Sequence, residues 1–582
     1  MITSAEIETI EYLVDQSKIV DTILAGLAND TRGRKGSPSN LRLMLIGMTL
    51  SIRHRRSCTV TDVYDLLTTE ISTSEKIRLG VCDVNNNVII NLQNFYYFTK
   101  VIDARLNYGK VTTDITDVER SRRHDVVRKF CDDMMDIFDL GWASTSFAMD
   151  ATGLWAWGKG KARPRKVTKS KGEEEASVEE TVADSEQLLE TGSGFETIDA
   201  ELVPQEIRDQ IDDLNANARA TNSSYSPDSG WGFKTGKAGD VEIFYGDHEH
   251  TLVQVPDTDQ DDDCEPRLIK RFEITPANAD VVDVSLGLLD RVGRKVKWLL
   301  VDSHYHYKKR DRWLRPLTLR GIHQIHDLRK DEHGFTEQEG MRFAAGRPHC
   351  PETPDSLGTI LKPAPNAPKE EFGNFFKDIE RRRAHALGVN TQPDADGKAR
   401  YVCPALNGSI GCPRRQGSVQ AAIDLGLPLV EIADDNPNLP IPACCTQNTV
   451  QVVLDERIHK LSQRLYWGSK TWVKRFRKRT YVEGSYGNRK NQSTENLRRG
   501  IHRFSSITMQ HLVMTLVNAS YNLRMLRNWH ERQEAKPGHV CELCANGIHP
   551  LLKPFVQPEV VLHLSADEWL ALETLRSELV SA

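Results

Sequence analysis

Three carboxylates and one dense field of basic side chains are the residues of this chain whose types and spacing could do chemistry. Glu483 stands inside FRKRTYVEGSYGNRK, residues 476–490. Between Thr471 and Arg503 ten Lys or Arg (Lys474, Arg475, Arg477, Lys478, Arg479, Arg489, Lys490, Arg498, Arg499 and Arg503) face only Glu483 and Glu495. Such a surface suits a polyanion, because each neutralised phosphate releases a condensed counterion; a solvated helix face gives the same pattern. Upstream, SFAMDAT (146–152) is a short apolar strand ending in Asp150, and WLLVDSH (298–304) is an apolar run ending in Asp302. A continuous apolar strand is buried on both faces, and open α/β sheets gather their chemistry at the carboxyl ends of strands. Two such aspartates and a glutamate, brought together, make a divalent-metal site.

The spacing sharpens this expectation. Arg479 precedes Glu483 with three residues between, Lys490 follows with six between, and Phe476 lies two residues before Arg479. The pattern resembles the Tyr-x2-Arg-x3-Glu-x6-Lys motif of bacterial insertion-sequence transposases of the DDE type, with Phe476 where that motif has Tyr. The resemblance implies Asp150, Asp302 and Glu483 as catalytic ligands of Mg²⁺ or Mn²⁺, two ions per site. It also implies Arg479 and Lys490 as contacts to phosphates of the transposon end, with Arg477, Arg489 and Phe476 beside them. Cutting or joining a phosphodiester adds charge to a phosphoryl group that is already anionic, and two cations about 3.5–4 Å apart meet that need. Mg²⁺ takes oxygen ligands, so carboxylates suit it. Bridging of both ions by Asp150 is an inference beyond the resemblance.

The elements that must position these residues follow in order. Helices are expected over Thr3–Ala28, Asn40–His54, Thr61–Thr69, from Ser74, over Asn91–Asn107 and over Asp117–Leu140. Residues 1–140 thus read as a helical region, either a plain bundle or a reader of DNA ends that also helps subunits associate. The catalytic domain is expected over 141–158 and 226–329, resuming at 466–533. Its strands lie at Asp150, near Trp231, over Val241–Val255 and at Asp302, with a helix opened by Thr275-Pro276 and a last short strand at Gly321–Ile325. Strand, strand, strand, helix, strand, helix, strand and a final helix bearing Glu483 is the element order of a ribonuclease-H-like α/β fold, which the resemblance implies from about Phe147 to Trp529. His248 and His250 fall in the 241–255 strand as structural or phosphate-contacting residues. A long amphipathic helix is expected over Gly500–Gln533.

Three segments interrupt or follow this order. Residues 159–225 are charged and poor in large apolar side chains, with seven basic residues in Lys159–Lys171 and then fifteen acidic against one basic in Glu173–Asp213. Such a segment cannot bury enough surface to offset its ordering entropy, and disorder is expected. Residues 330–465 form an insertion subdomain holding Cys350, Cys403, Cys412, Cys444 and Cys445, with no compact Cys-x2-Cys pair. Four thiolates could form a tetrahedral zinc site, and isolated buried cysteines fit equally well. In the tail, 534–582, His539-x-Cys541-x2-Cys544-x4-His549 has metal-like spacing for Zn²⁺, and half of a shared site fits it as well.

Composition bounds the rest. The 582 residues carry a net charge of -6, so whole-chain charge names no partner and its distribution must. The N-terminus lacks a signal pattern and no apolar run approaches the roughly 18 residues of a membrane span, so a cytoplasmic protein, nucleoid-associated when DNA-bound, is expected. Eleven cysteines in such a chain suit free thiols or metal ligands better than a disulfide framework. The reading is a DDE transposase acting on DNA as a homodimer. Two alternatives use the same residues: a transposase-derived DNA-binding protein without activity, and a ribonuclease-H-like nuclease without strand transfer.

Overall fold

A computed structural model describes residues 2–27, 37–158, 205–221, 226–235, 241–257, 263–364, 366–432, 441–536, 543 and 548–555. Seven α-helices come first among these: α1 (Ser4–Gln16), α2 (Ile19–Leu27), α3 (Pro38–Arg53), α4 (Val60–Asp65), α5 (Thr73–Leu79), α6 (Leu92–Leu106) and α7 (Asp117–Asp136). The single helix expected over Thr3–Ala28 is two, broken at Lys18, whose φ is 53°. Capping explains most of the starts. The side chains of Thr3, Thr59, Ser72, Asn91 and Thr116 each accept a backbone N–H of the first turn, which satisfies a donor the helix leaves orphaned.

The central sheet is mixed. Its strands are β1 (Ser146–Trp155), β2 (Gly230–Thr235), β3 (Val241–Val255), β4 (Ile269–Pro276), β5 (Trp298–Leu300) and β6 (His323–Ile325), in the order β2-β3-β1-β5-β6 with β4 also on β3. β1 runs antiparallel to β3 and parallel to β5, and β5 is parallel to β6. β2 pairs with the first half of β3 and β4 with the second. Gly246 is required where β3 meets β1, because a Cβ there would stand 2.0 Å from the Leu154 carbonyl oxygen.

The remaining helices are α8 (Gln205–Thr221), α9 (Val281–Asp290), α10 (Ser303–His306), α11 (Leu314–Leu319), α12 (Lys369–Ala384), α13 (Gln416–Leu425), α14 (Ala443–Thr446), α15 (Glu456–Leu461), α16 (Lys470–Phe476), α17 (Thr480–Lys490) and α18 (Ile507–Glu534). Between β6 and α16 the insertion carries two further three-stranded antiparallel sheets, β7 (Thr336–Gln338), β8 (Met341–Ala344) and β9 (Arg347–His349), then β10 (Gly388–Thr391), β11 (Lys398–Val402) and β12 (Thr449–Val453).

The largest hydrophobic core joins the N-terminal helices to the sheet. It joins α1–α3, α6 and α7 to Ala148 of β1, Val253 and Val255 of β3, Ile269, Phe272 and Ile274 of β4, Val482 and Tyr486 of α17, and the length of α18. The helical region 1–140 therefore shares its core with the sheet. No helix among the described residues is long and apolar enough to cross a membrane.

Three expectations are corrected. Thr275-Pro276 ends strand β4 and opens no helix; α9 starts later, where Asp280 accepts the Val282 N–H at 2.9 Å. Within 159–225, residues 205–221 form α8, which buries Ile207, Ile211 and Leu214 against Trp231 and Tyr245. The rest of that segment lies outside the described residues. Finally, α18 is buried on every side over Ile507–Leu523 and so is not amphipathic there.

Candidate active site

Register alone places the two aspartates side by side. Ser146, Phe147 and Ala148 pair with Trp298, Leu299 and Leu300 across parallel strands, so two residues further on Asp150 and Asp302 occupy equivalent positions. β1 continues beyond Asp150 toward Trp155, whereas β5 stops at Leu300 and the chain turns into α10. Asp302 is thus the N-cap of α10 and accepts the His304 N–H at 2.9 Å. Both aspartates are buried, 6% and 8% exposed.

Glu483 reaches them from α17, where it lies in the first turn; the positive end of the helix dipole favours a carboxylate there. Val482, Ser485, Tyr486 and Arg489 form the buried face of α17. The Tyr486 hydroxyl donates to the backbone carbonyl of Asp150 at 2.7 Å, which ties the helix of one carboxylate to the strand of another. Tyr486 lies three residues after Glu483, on the same helix face, a spacing that could have been read as an anchor from sequence.

Arg479 stands among all three carboxylates. Its guanidinium donates to Glu483 Oε1 at 2.5 Å and lies 3.9 Å from Asp150 Oδ2. Burial opposes its charge, but Asp150, Glu483 and Asp302 together raise its pKa above the usual arginine value. Asp150 shows the complementary effect. Burial first, then the nearby Asp302 and more weakly Glu483, push its carboxyl up to about 8, while Arg479 and the Ala151 N–H pull the other way. A site in which one guanidinium does not relieve three carboxylates favours further positive charge.

That is the test of fit for a divalent cation. The donors are all carboxylate oxygens, the ligand type Mg²⁺ and Mn²⁺ prefer, and the raised Asp150 pKa measures an electrostatic demand a cation would satisfy. Among the described residues no group of three or more His, Cys, Asp or Glu already stands closed at metal-ligating distance; Arg479 occupies the space between Asp150 and Glu483. The residues fit the ions in type and charge, and binding requires Arg479 to yield part of its place.

The basic field divides into inward and outward members. Arg489, expected at DNA, is fully buried: it donates to Glu249 Oε1 at 2.6 Å and to Asn518 Oδ1. This is a correction, and its cause is Glu249 on β3, a buried carboxylate that needs a cation. Lys478 likewise turns inward to the Pro256 carbonyl at 2.9 Å, and Arg475 to Ser146 Oγ at 3.1 Å. Lys490 and Arg477 are exposed. Lys490 Nζ donates to Thr152 Oγ1 at 2.9 Å, two residues past Asp150 on β1. Phe476 stacks on Trp472 with centroids 4.7 Å apart, and Lys362 of the insertion lies 5.2 Å from its ring.

Two sets of expected residues lie elsewhere. On β3 His250 is buried and His248 half-buried, and desolvation pushes their pKa values down to about 3 and about 4. His250 Nε2 meets Thr275 Oγ1 at 2.9 Å, so it is a structural residue. Of the tail candidates, His539, Cys541 and Cys544 lie outside the described residues. His549 is half-buried, accepts the Leu551 N–H at 3.3 Å and packs edge-on to Tyr12.

No family model, curated protein or solved structure matches the chain. What the site can do is therefore argued from its own residues.

Proposed function

We propose that the protein is a DDE-type transposase with a ribonuclease-H-like catalytic domain, cleaving and joining DNA strands at the ends of a mobile element. The observation that carries the reading is Arg479 set among Asp150 on β1, Asp302 just after the adjacent parallel β5 and Glu483 on α17. Motif spacing picked out Arg479 and Glu483, and the ends of two apolar runs far upstream picked out Asp150 and Asp302. A mixed sheet with β1 antiparallel to β3 on one side and parallel to β5 on the other supports it as well.

In this reading Asp150, Asp302 and Glu483 hold Mg²⁺ or Mn²⁺. When bound, the ions supply Lewis-acid activation of the attacking oxygen and stabilisation of the leaving oxygen. The protein's own groups do the rest. The His304 N–H fixes the Asp302 carboxylate, and Tyr486 fixes the strand carbonyl behind Asp150. Arg479, now held by Glu483 and near Asp150, would be free to turn toward a phosphate once those carboxylates held ions. Lys490 and Arg477, at the exposed rim, bind flanking phosphates, and Phe476 stacks without the hydroxyl contact of the motif Tyr. The protein works as a homodimer bridging two ends, with the N-terminal helices contributing to end binding or association.

The test is strand cleavage and joining on labelled DNA carrying the element's own flanking repeats, with Mg²⁺ or Mn²⁺, for the wild type and Asp302→Asn. Metal-dependent 3′-end release and joined products, both lost in the variant while end binding persists, are expected. Tight end binding without cleavage under either metal would favour an inactive DNA-binding descendant. Cleavage without joined products would favour a nuclease.

A further inference from the structure

Away from the carboxylates, the most concentrated chemistry lies in the insertion. Cys350, Cys403 and Cys412 come from three separate segments and are buried in one small cluster with Ala405, Ile410 and Val430. A search for Cys-x2-Cys pairs passes over them, yet they share a different signature: each is followed by proline, in Cys350-Pro351-Glu352-Thr353, Cys403-Pro404-Ala405-Leu406 and Cys412-Pro413-Arg414-Arg415. Each opens a turn of the same kind. The cysteine carbonyl accepts the N–H three residues on, at 3.0 Å from Thr353, 3.0 Å from Leu406 and 2.8 Å from Arg415. Proline at the second position presets φ for such a turn.

The turns also aim donors at sulfur. Burial raises the pKa of the Cys350 and Cys412 thiols, and the backbone amides of Glu352 and Arg414 oppose it. Cys445, in α14, lies near enough to both thiols to push their pKa values up, and its neighbour Cys444 is pushed up by Cys445 first, then by burial, and also by Cys350 and Cys403. The Cys445 Sγ lies 4.0 Å from Arg414 Nη1, and the same nitrogen donates to Glu352 Oε1 at 3.0 Å. Cysteines that merely fill a core behave as small hydrophobes. They need neither a repeated turn, nor N–H groups aimed at sulfur, nor a guanidinium beside them. Thiolates bound to a cation are served by all three, because surrounding donors orient the ligands and offset their excess charge.

We propose that Cys350, Cys403, Cys412 and Cys445 form a structural zinc site, four thiolates around one tetrahedral ion. Among the described residues no group of three or more His, Cys, Asp or Glu already stands as a metal site, so the ion requires the thiols to close on it by χ1 rotation between staggered wells on turns already formed. Uptake of the ion releases the thiol protons to solvent. The ligands stand at strand ends: Cys350 follows β9, Cys403 follows β11, and Cys445 precedes β12. One ion would therefore staple the two small sheets to each other, in a subdomain whose own apolar cluster of ten buried residues is small.

The experiment is zinc content of the full chain by plasma mass spectrometry for the wild type, Cys403→Ser/Cys412→Ser, Cys541→Ser/Cys544→Ser and the exposed Cys264→Ser. A companion measurement is the absorption spectrum of the Cys541→Ser/Cys544→Ser protein reconstituted with Co²⁺. About one zinc equivalent, kept by the tail and Cys264 variants and lost from Cys403→Ser/Cys412→Ser, is expected, with thiolate-to-cobalt charge transfer and tetrahedral d–d bands in the reconstituted protein. Wild-type zinc content in Cys403→Ser/Cys412→Ser overturns the proposal, as does a tail variant without zinc and without those bands. If Cys403→Ser/Cys412→Ser does not fold, the cobalt spectrum decides alone.

Discussion

Asp150 ties the protein's stability to pH. Its carboxyl is held up to about 8 in the folded chain, against an ordinary value of 3.8. A folded pKa raised in this way contributes stability that is complete below the unfolded value and lost as pH rises through the folded one. Without divalent ions the Tm should therefore fall as pH climbs toward about 8. Under the proposed function a cation takes the proton's place, so a Tm increase produced by Mg²⁺ should grow over the same range, and Asp150→Asn should flatten both trends. Differential scanning fluorimetry across pH, with and without Mg²⁺, reads this directly; a metal-induced shift indifferent to pH would take the ion away from Asp150. Two basic residues of the motif region divide just as cleanly. Arg489→Ala strands the buried Glu249 carboxylate, and breaking a buried pair costs about 3–5 kcal/mol, measurable by urea unfolding. Lys490→Ala should leave stability nearly unchanged but flatten the log–log salt dependence of end binding by about one unit for the lost phosphate contact. An unaltered slope would mean Lys490 touches no phosphate.

At the scale of elements, α17 is only as useful as its tether to β1. Tyr486→Phe removes the hydrogen bond to the Asp150 carbonyl, a loss of about 1 kcal/mol, and should slow cleavage while leaving end binding intact. Equal activity in the two proteins would show that Glu483 is positioned by Arg479 alone. The strands and helix that carry the carboxylates were legible in sequence because apolar runs and motif spacing are local signals. β4 was not, and the reason is physical: Lys270, Arg271 and Glu273 read as surface residues but are buried. Lys270 meets Asp139 at 2.8 Å and Arg271 meets Asp136 at 2.8 Å, while Glu273 is held by His124 at 2.7 Å, Arg128 at 2.9 Å and Arg291 at 3.0 Å. Most of those partners lie on or just after α7, far back in the chain. Arg489 misled in the same way, its charge answered from β3. The polar residues of α18 also looked like a solvated stripe. Instead Asn522 exchanges two 2.8 Å hydrogen bonds with the backbone of Ile269, and Asn518 meets Glu249 at 3.0 Å. Sequence polarity reports exposure only where the balancing group is nearby.

The molecule as a whole is organised around α18, which packs against α3, α6, α7 and β4 in a single core. Leu516→Ala, at its fully buried centre, should cost about 2–5 kcal/mol. It should lower the stability of the N-terminal helices and the sheet together, in one unfolding transition. Separate transitions would mean that the two halves hold themselves up independently. Backbone amides of α18 should be the slowest in the chain to exchange with deuterium, since they open only when the shared core does.

That arrangement also sets an order of events during synthesis. The surface against which α3, α6 and α7 close is encoded by residues 507–534, which leave the ribosome long after those helices do. At about 5–20 residues per second the interval is on the order of tens of seconds. Throughout it the nascent chain presents the apolar faces of its first helices to water and to chaperones. A product that stops short of residue 507 never acquires the wall those helices need, and premature termination or a late frameshift in the reading frame silences the protein by depriving its beginning of a core.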